Sequence, residues 1–187
     1  MRIIGGKLRG IQLSPIRNIG LEANLRPTTD RIRENIFNII LGGRFGNQLK
    51  GKRVLDLFSG TGVLGIEAIS RGATHATLIE KNPQVFKIIQ SNIKITNIAD
   101  QVTLLNANAL NLGVCEVQPY DLIFLDAPYR KSLGKTALED VFLNGWLAHN
   151  ALVVWEDSIS PEVPKDLIYL EEKKYGNTIL TFLNVPK

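Results

Sequence analysis

The stretch Val54-Leu55-Asp56-Leu57-Phe58-Ser59-Gly60-Thr61-Gly62-Val63-Leu64-Gly65 constrains this chain more than any other. Its apolar run, Val54 to Phe58, reads as a buried parallel strand. The run gives way to a small, glycine-rich turn, and Val63 to Ile69 then carries the apolar periodicity of a helix. Strand, glycine turn and helix form the device with which an α/β protein cradles a nucleotide-like ligand at the carboxyl ends of its strands. Glycines let the backbone approach such a ligand with no Cβ in the way.

The spacing Gly60-x-Gly62-x-x-Gly65, with Glu80 twenty residues after Gly60, matches the dinucleotide fingerprint. An NAD-dependent oxidoreductase is therefore one reading. Asp56 pulls away from it. A carboxylate inside the strand, four residues before Gly60, repels a pyrophosphate and suits a ligand bearing an ammonium group, such as the methionine end of S-adenosylmethionine.

The remaining elements fall around this turn. Met1 to Ile4, Gly5-Gly6 and Lys7 to Leu13 read as a basic β-hairpin with a glycine turn. Thr28, Thr29 or Asp30 caps a helix whose apolar face is Ile32, Ile36 and Ile39/Ile40, with Arg31 and Arg33 off that face. Ala76 to Glu80 is a second strand, and Pro83 opens a helix running through Phe86, Ile89 and Ile93 to about Thr96. Val102 to Leu105 and Tyr120 to Asp126 are further strands. A helix is expected from about Leu133 to Leu147, with Trp146 on its apolar face, followed by a strand over Ala151 to Glu156. Leu167 to Tyr175 and Thr178 to Leu183, around Gly176-Asn177, form a closing hairpin. Alternating strands and helices ending in an antiparallel hairpin predict an α/β fold, a doubly wound, mostly parallel seven-stranded sheet with a small N-terminal β-hairpin extension. The extension is expected over residues 1–24 and the main domain over 25–187. Asp56 with Gly60, Glu80, Asn108 and Asp126 each fall at the carboxyl end of a different strand, where open α/β sheets bind ligands.

Composition narrows the class. The chain has 187 residues, 44% hydrophobic and 21% charged, the proportions of a globular protein with a real core. No apolar run reaches membrane-span length, and the N-terminus lacks the h-region of a signal peptide, so a cytoplasmic protein is expected. A single cysteine, Cys115, excludes an internal disulfide, and His75 and His149 are too scattered for a metal site, so no metal is expected. Net charge is +4, but residues 1–33 alone carry +5 and the remainder −1. A neutral body with a basic N-terminal face suits a polyanion, or is simply a solvated surface.

Asp126-Ala127-Pro128-Tyr129 carries the second chemical signal. The carboxylate and a turn carbonyl can accept two hydrogen bonds from one exocyclic amine, while the Tyr129 ring stacks on the base bearing it. Such an amine is a weak nucleophile, and two acceptors direct its lone pair at the carbon to be transferred. The bland alternative is a strand-ending turn with a packed tyrosine.

With these residues the chain resembles the RsmD family, the bacterial 16S rRNA guanine-N2 methyltransferases. The resemblance runs through Met1 to Gly6, Leu25-Arg26-Pro27-Thr28-Thr29-Asp30-Arg31-Ile32-Arg33-Glu34, Asp56 to Gly65, Ala68 to Ala73, Asp126 to Tyr129 and Tyr175-Gly176-Asn177-Thr178. It implies a Rossmann-like class I methyltransferase, S-adenosylmethionine as methyl donor, and a guanine in 16S rRNA of the small ribosomal subunit as acceptor, with a monomer expected. Catalytic roles fall to Asp126, Pro128 and Tyr129. The cofactor set is Asp56, Phe58, Ser59, Gly60, Thr61, Gly62, Glu80, Lys81, Asn108, Ala109 and Asp126. The RNA set is Arg2, Lys7, Arg9, Arg26, Thr28, Arg31, Tyr129 and Arg130. Two positions depart from the family pattern: Ala127 stands where proline is usual, and Asn108 where an Asp usually meets the adenine amine. Adenine-N6 or cytosine-N4 of DNA is the alternative acceptor, since the same tetrapeptide serves those amines. A non-catalytic RNA-binding factor would not need Asp56, Glu80 and Asp126 intact.

Overall fold

The computed structural model describes residues 1–15, 29–46, 48–128 and 133–187. Seven strands form one sheet: β1 (Arg53–Asp56), β2 (His75–Ile79), β3 (Val102–Leu105), β4 (Tyr120–Leu125), β5 (Leu147–Asp157), β6 (Ile168–Tyr175) and β7 (Thr178–Asn184). Four α-helices accompany them: α1 (Asp30–Leu41), α2 (Val63–Ser70), α3 (Pro83–Thr96) and α4 (Leu133–Leu143). The strand order is β3-β2-β1-β4-β5-β7-β6. Strands β1 to β5 pair in parallel, whereas β7 runs antiparallel between β5 and β6. The order reverses at β1, whose neighbours are β2 and β4. That reversal opens a crevice at the carboxyl ends of the strands.

Side-chain alternation gives the sheet two apolar faces. Leu122 and Phe124 of β4 face a core shared with Val54, Val154, Phe182 and helices α1, α2 and α3. Ile123 and Leu125 face the other core, with Leu55, Val153, Trp155 and helix α4. The central strands are covered on both sides, so they read as continuous apolar runs.

Three expectations need correction. The Thr29 hydroxyl caps α1 by accepting from Ile32 N–H at 3.3 Å, as anticipated, but Arg33 is fully buried beside Ile32, Ile36, Phe37 and Ile40. It lies four residues before Phe37 and seven before Ile40, on the stripe itself, and its charge disguised this position. Helix α4 ends at Leu143. Asn144-Gly145 reverses the chain, with Gly145 at φ 75°, so Trp146 lies beyond the helix and Leu147 already belongs to β5.

Among the described residues, the N-terminal segment has no strand beyond a short antiparallel pairing, in which Ile3 N–H donates to Ile11 O at 3.0 Å and Leu13 N–H to Met1 O at 2.8 Å. A single antiparallel bridge joins Arg2 to Gln12, and Gly6–Leu8 forms a 3₁₀ turn. Gly6, at φ 74°, enters the reversal, and the Gly5-Gly6 pair also lies against α2. A Cβ on Gly5 would fall 2.3 Å from the Arg71 guanidinium, and one on Gly6 1.9 Å from the Ser70 carbonyl oxygen. Ile3 and Leu13 are buried in the same core as α1 and α2.

Candidate active site at the carboxyl edge of the sheet

The glycine turn is held from both sides. Leu57 N–H donates to Phe124 O of β4, and Ser59 N–H to Ile79 O of β2, each at 3.0 Å. The Ser59 hydroxyl donates back to Asp56 O at 2.8 Å. Gly62 caps α2 in the left-handed region, φ 75°, where a side chain would be strained. Gly65 serves a different purpose: a Cβ there would sit 2.2 Å from Leu78 Cδ2, so its absence lets α2 lie against β2. This close approach lets Gly65 N–H donate to Asp56 Oδ2 at 3.3 Å.

Asp56 is 2% exposed. Burial pushes its carboxyl up to about 7; the Gly65 N–H draws it down, the nearby Glu80 raises it, and the Ser59 hydroxyl lowers it. Glu80, one residue past β2, is also raised by burial, against the backbone N–H groups of Asn82 and Gly60 and the charge of Lys81, which lower it. Two neighbouring acids whose pKa values are raised by burial are a feature of sites that take a cationic or hydroxyl-rich ligand.

A cleft of about 190 Å³ opens above them, lined by Leu57, Phe58, Gly60, Ile79, Glu80, Lys81, Asn82, Val85, Ala107, Ala109, Asp126 and Pro128. It brings together Phe58, Gly60, Glu80, Lys81, Ala109, Asp126 and Pro128 of the expected set. Asp56 and Ser59 lie buried beneath it, and Thr61 and Gly62 continue the turn beyond it. Asn108 does not line the cleft: its Oδ1 accepts from Leu110 N–H at 3.2 Å, and the wall here is made of Ala107 and Ala109. Sequence reading missed the apolar walls Leu57, Ile79, Val85 and Ala107. Val85, in the first turn of the Pro83 helix, was the readable one. Ala127 is buried within the α4-side core, where its methyl packs. Tyr129, Arg130, Arg26 and Thr28 lie outside the described residues.

Of the expected RNA contacts, Arg2, Arg9 and Arg31 line one open hollow of about 300 Å³, together with Asp30 and Glu34. Lys7 is elsewhere, donating to Gln101 Oε1 at 2.9 Å. The segment bearing these residues is tied to the glycine-turn helix by Glu67. This fully buried carboxylate accepts from Ile4 N–H at 2.9 Å, Gly5 N–H at 2.7 Å and Arg71 Nε at 2.8 Å. Buried Asn92 of α3 accepts from Ser14 N–H at 2.7 Å and donates to Thr61 O at 3.0 Å, joining the same segment to the glycine turn. Among the described residues, no group of three His, Cys, Asp or Glu is placed to hold a metal, and no helix is long and apolar enough to cross a membrane.

The dinucleotide-binding order is 3-2-1-4-5-6. Here an antiparallel β7 is wedged between β5 and β6. The whole chain superposes on a solved Escherichia coli structure, provisionally described as a methyltransferase, with TM-score 0.81, 31% identity, and 98% of that chain covered. A Salinibacter ruber RNA methyltransferase structure in complex with S-adenosyl-L-homocysteine shares the fold at TM-score 0.66 and 18% identity, with 87% of this chain and 95% of that chain covered. The architecture is thus a Rossmann-like class I methyltransferase fold. Within that class the chain belongs to the RsmD family, whose model, described as conserved hypothetical protein 95, matches residues 1–184. Relatives named ribosomal RNA small subunit methyltransferase D include one from Buchnera aphidicola, 38% identical over 98% of this chain and 92% of its own. Another, from Escherichia coli K12, is 36% identical over 94% and 85%. The chain is a methyltransferase of this kind.

Proposed function

We propose that the protein transfers a methyl group from S-adenosylmethionine to the exocyclic N2 amine of a guanine in 16S rRNA of the small ribosomal subunit. The observation that carries this reading is the single cleft in which Gly60, Glu80 and Asp126, from the ends of β1, β2 and β4, meet. Its relatives' names supply the RNA.

The residues fit the donor. The ring-sized apolar walls, Phe58, Ile79, Val85, Ala107 and Ala109, suit an adenine. Glu80 has lone pairs left for ribose hydroxyls beyond the N–H groups of Asn82 and Gly60. Buried Asp56 suits an ammonium, which would hold its carboxylate ionised. When bound, the cofactor supplies a methyl carbon already activated by a sulfonium leaving group.

The protein's part is positioning and proton handling. The Asp126 carboxylate and the carbonyl of the following turn accept the two amine hydrogens, which frees the nitrogen lone pair to face the methyl. Asp126 would take the proton that the amine sheds on methylation. The basic hollow of Arg2, Arg9 and Arg31 receives RNA phosphates without reading sequence.

S-Adenosylhomocysteine is expected to raise the melting temperature, and NADH is not. Asp126→Ala should keep that rise and lose methyl transfer by about 100-fold or more. Stabilisation by NADH alone, or full transfer by the variant, would overturn the reading.

A further inference from the structure

Thr61, the middle residue of the glycine turn, is gripped from two sides by the root of the N-terminal segment. Fully buried Asn92 of α3 donates from Nδ2 to Thr61 O at 3.0 Å. The same amide pairs with Ser14: its Oδ1 accepts from Ser14 N–H at 2.7 Å, and its Nδ2 donates to Ser14 O at 3.3 Å. On the other side the Thr61 hydroxyl donates to Met1 Sδ at 3.7 Å. Leu13 N–H donates to Met1 O at 2.8 Å, so the two ends of the segment close on each other where they touch the turn. Thr61 follows Gly60, which lines the methyl-transfer cleft. Helix α3 reaches the cleft as well. Its Val85 lines the wall, and its Ile89 Cγ2 lies 3.0 Å from where a Cβ on Gly62 would stand. The segment held in this way carries Arg2 and Arg9 of the basic hollow.

We propose that Asn92 is a positioning residue for methyl transfer, which couples the seating of RNA on the N-terminal segment to the grip of the glycine turn on the methyl donor. The inference rests on the methyl-transfer reading above. A residue that only stitched the segment down would need the Ser14 bonds alone. The third bond, to Thr61 O, is the one that reaches the cofactor turn. That turn also supplies the Gly60 N–H accepted by Glu80, the carboxylate suited to ribose. Phosphates drawn to Arg2 and Arg9 fix the segment, and Met1 and Ser14 with it. Through Asn92 and Met1 they restrict Thr61 before the donor arrives, so donor binding has less order left to impose. By linkage the effect is reciprocal: a bound donor raises affinity for the subunit by the same factor. Glu67 holds the middle of the segment at Ile4 and Gly5, whereas the Asn92 side chain bonds both the segment and the turn.

The test measures how tightly wild type, N92A and S14P bind small subunits from cells lacking the enzyme, with and without saturating S-adenosylhomocysteine, and how tightly each binds S-adenosylhomocysteine alone. Wild type should bind subunits about 10-fold more tightly when S-adenosylhomocysteine is present. S14P removes the N–H that Asn92 accepts and leaves Asn92 and Thr61 in place. It should keep the wild-type affinity for S-adenosylhomocysteine alone and lose most of the coupling. N92A should lose the coupling and also bind S-adenosylhomocysteine about 3- to 10-fold more weakly. S-Adenosylhomocysteine should slow hydrogen exchange at Leu13 N–H in wild type and not in N92A. If N92A does not fold, S14P carries the test. A purely structural Asn92 would lower the melting temperature of the variants and leave the coupling factor as it is in wild type. That outcome in either variant, or no coupling in a wild type that binds both partners, would overturn the inference and leave the methyl-transfer reading in place. A wild type that does not bind S-adenosylhomocysteine would overturn that reading, and this one with it.

Discussion

Asp56 offers the most quantitative perturbation. Its carboxyl is pushed from an ordinary 3.8 to about 7 in the ligand-free protein, chiefly by burial. An acid whose folded-state value lies above its unfolded value holds its proton more tightly in the fold. Its contribution to stability is complete below about pH 4 and is lost as the pH rises toward 7, where the folded protein must either keep an uphill proton or bury a charge. A displacement from 3.8 to about 7 corresponds to about 4 kcal/mol. Asp56→Asn keeps an oxygen for the Gly65 N–H and removes the ionisation. Urea unfolding between pH 4 and pH 8 should show the variant more stable than wild type by about 2–4 kcal/mol at pH 8, the gap closing toward pH 4. The same variant should lose affinity for S-adenosylhomocysteine, because its ammonium no longer meets a charge. Parallel stability curves for the two proteins across this range would refute the reasoning.

Other expectations concern packing and the basic surface. Gly65→Ala places a Cβ 2.2 Å from Leu78 Cδ2, so unfolding should become easier by about 1–3 kcal/mol, and ligand affinity should fall as α2 shifts from β2. Glu67→Ala leaves Ile4 N–H, Gly5 N–H and Arg71 without their buried acceptor. A loss of about 3 kcal/mol and faster amide exchange over residues 1–13 should follow. Arg31→Ala should weaken subunit binding and reduce the salt slope by about one, without changing S-adenosylhomocysteine affinity.

The sheet and the cleft were legible because their residues announce themselves locally. The glycine spacing, the acids at strand ends and the β6–β7 turn each have a short-range pattern, and Gly60, Glu80 and Asp126, expected at strand ends, line one cleft. Glu67, Asn92 and Arg33 carry no such pattern. Their partners are backbone groups far along the chain: Glu67 meets Ile4 and Gly5, Asn92 meets Ser14 and Thr61, and Arg33 Nη2 meets Arg2 O at 2.8 Å. No periodicity marks such residues, since each is a polar side chain inside an apolar stripe, bought by hydrogen bonds that only tertiary structure supplies. The Gly5-Gly6 pair carries a second role that was hidden for a related reason. A turn and a close helix approach both ask for glycine, and only the contact with Ser70 and Arg71 separates them. Asn144-Gly145 did carry a readable stop for α4, which the apolar Trp146 and Leu147 outweighed.

The central claim is tested most directly by incubating the protein and labelled S-adenosylmethionine with small ribosomal subunits from cells lacking the enzyme, followed by nucleoside analysis of the rRNA. The account predicts label in N2-methylguanosine of 16S rRNA, and none when Asp126 is alanine. Label confined to DNA, to tRNA or to another base, or no transfer by a protein that binds the cofactor, would contradict it.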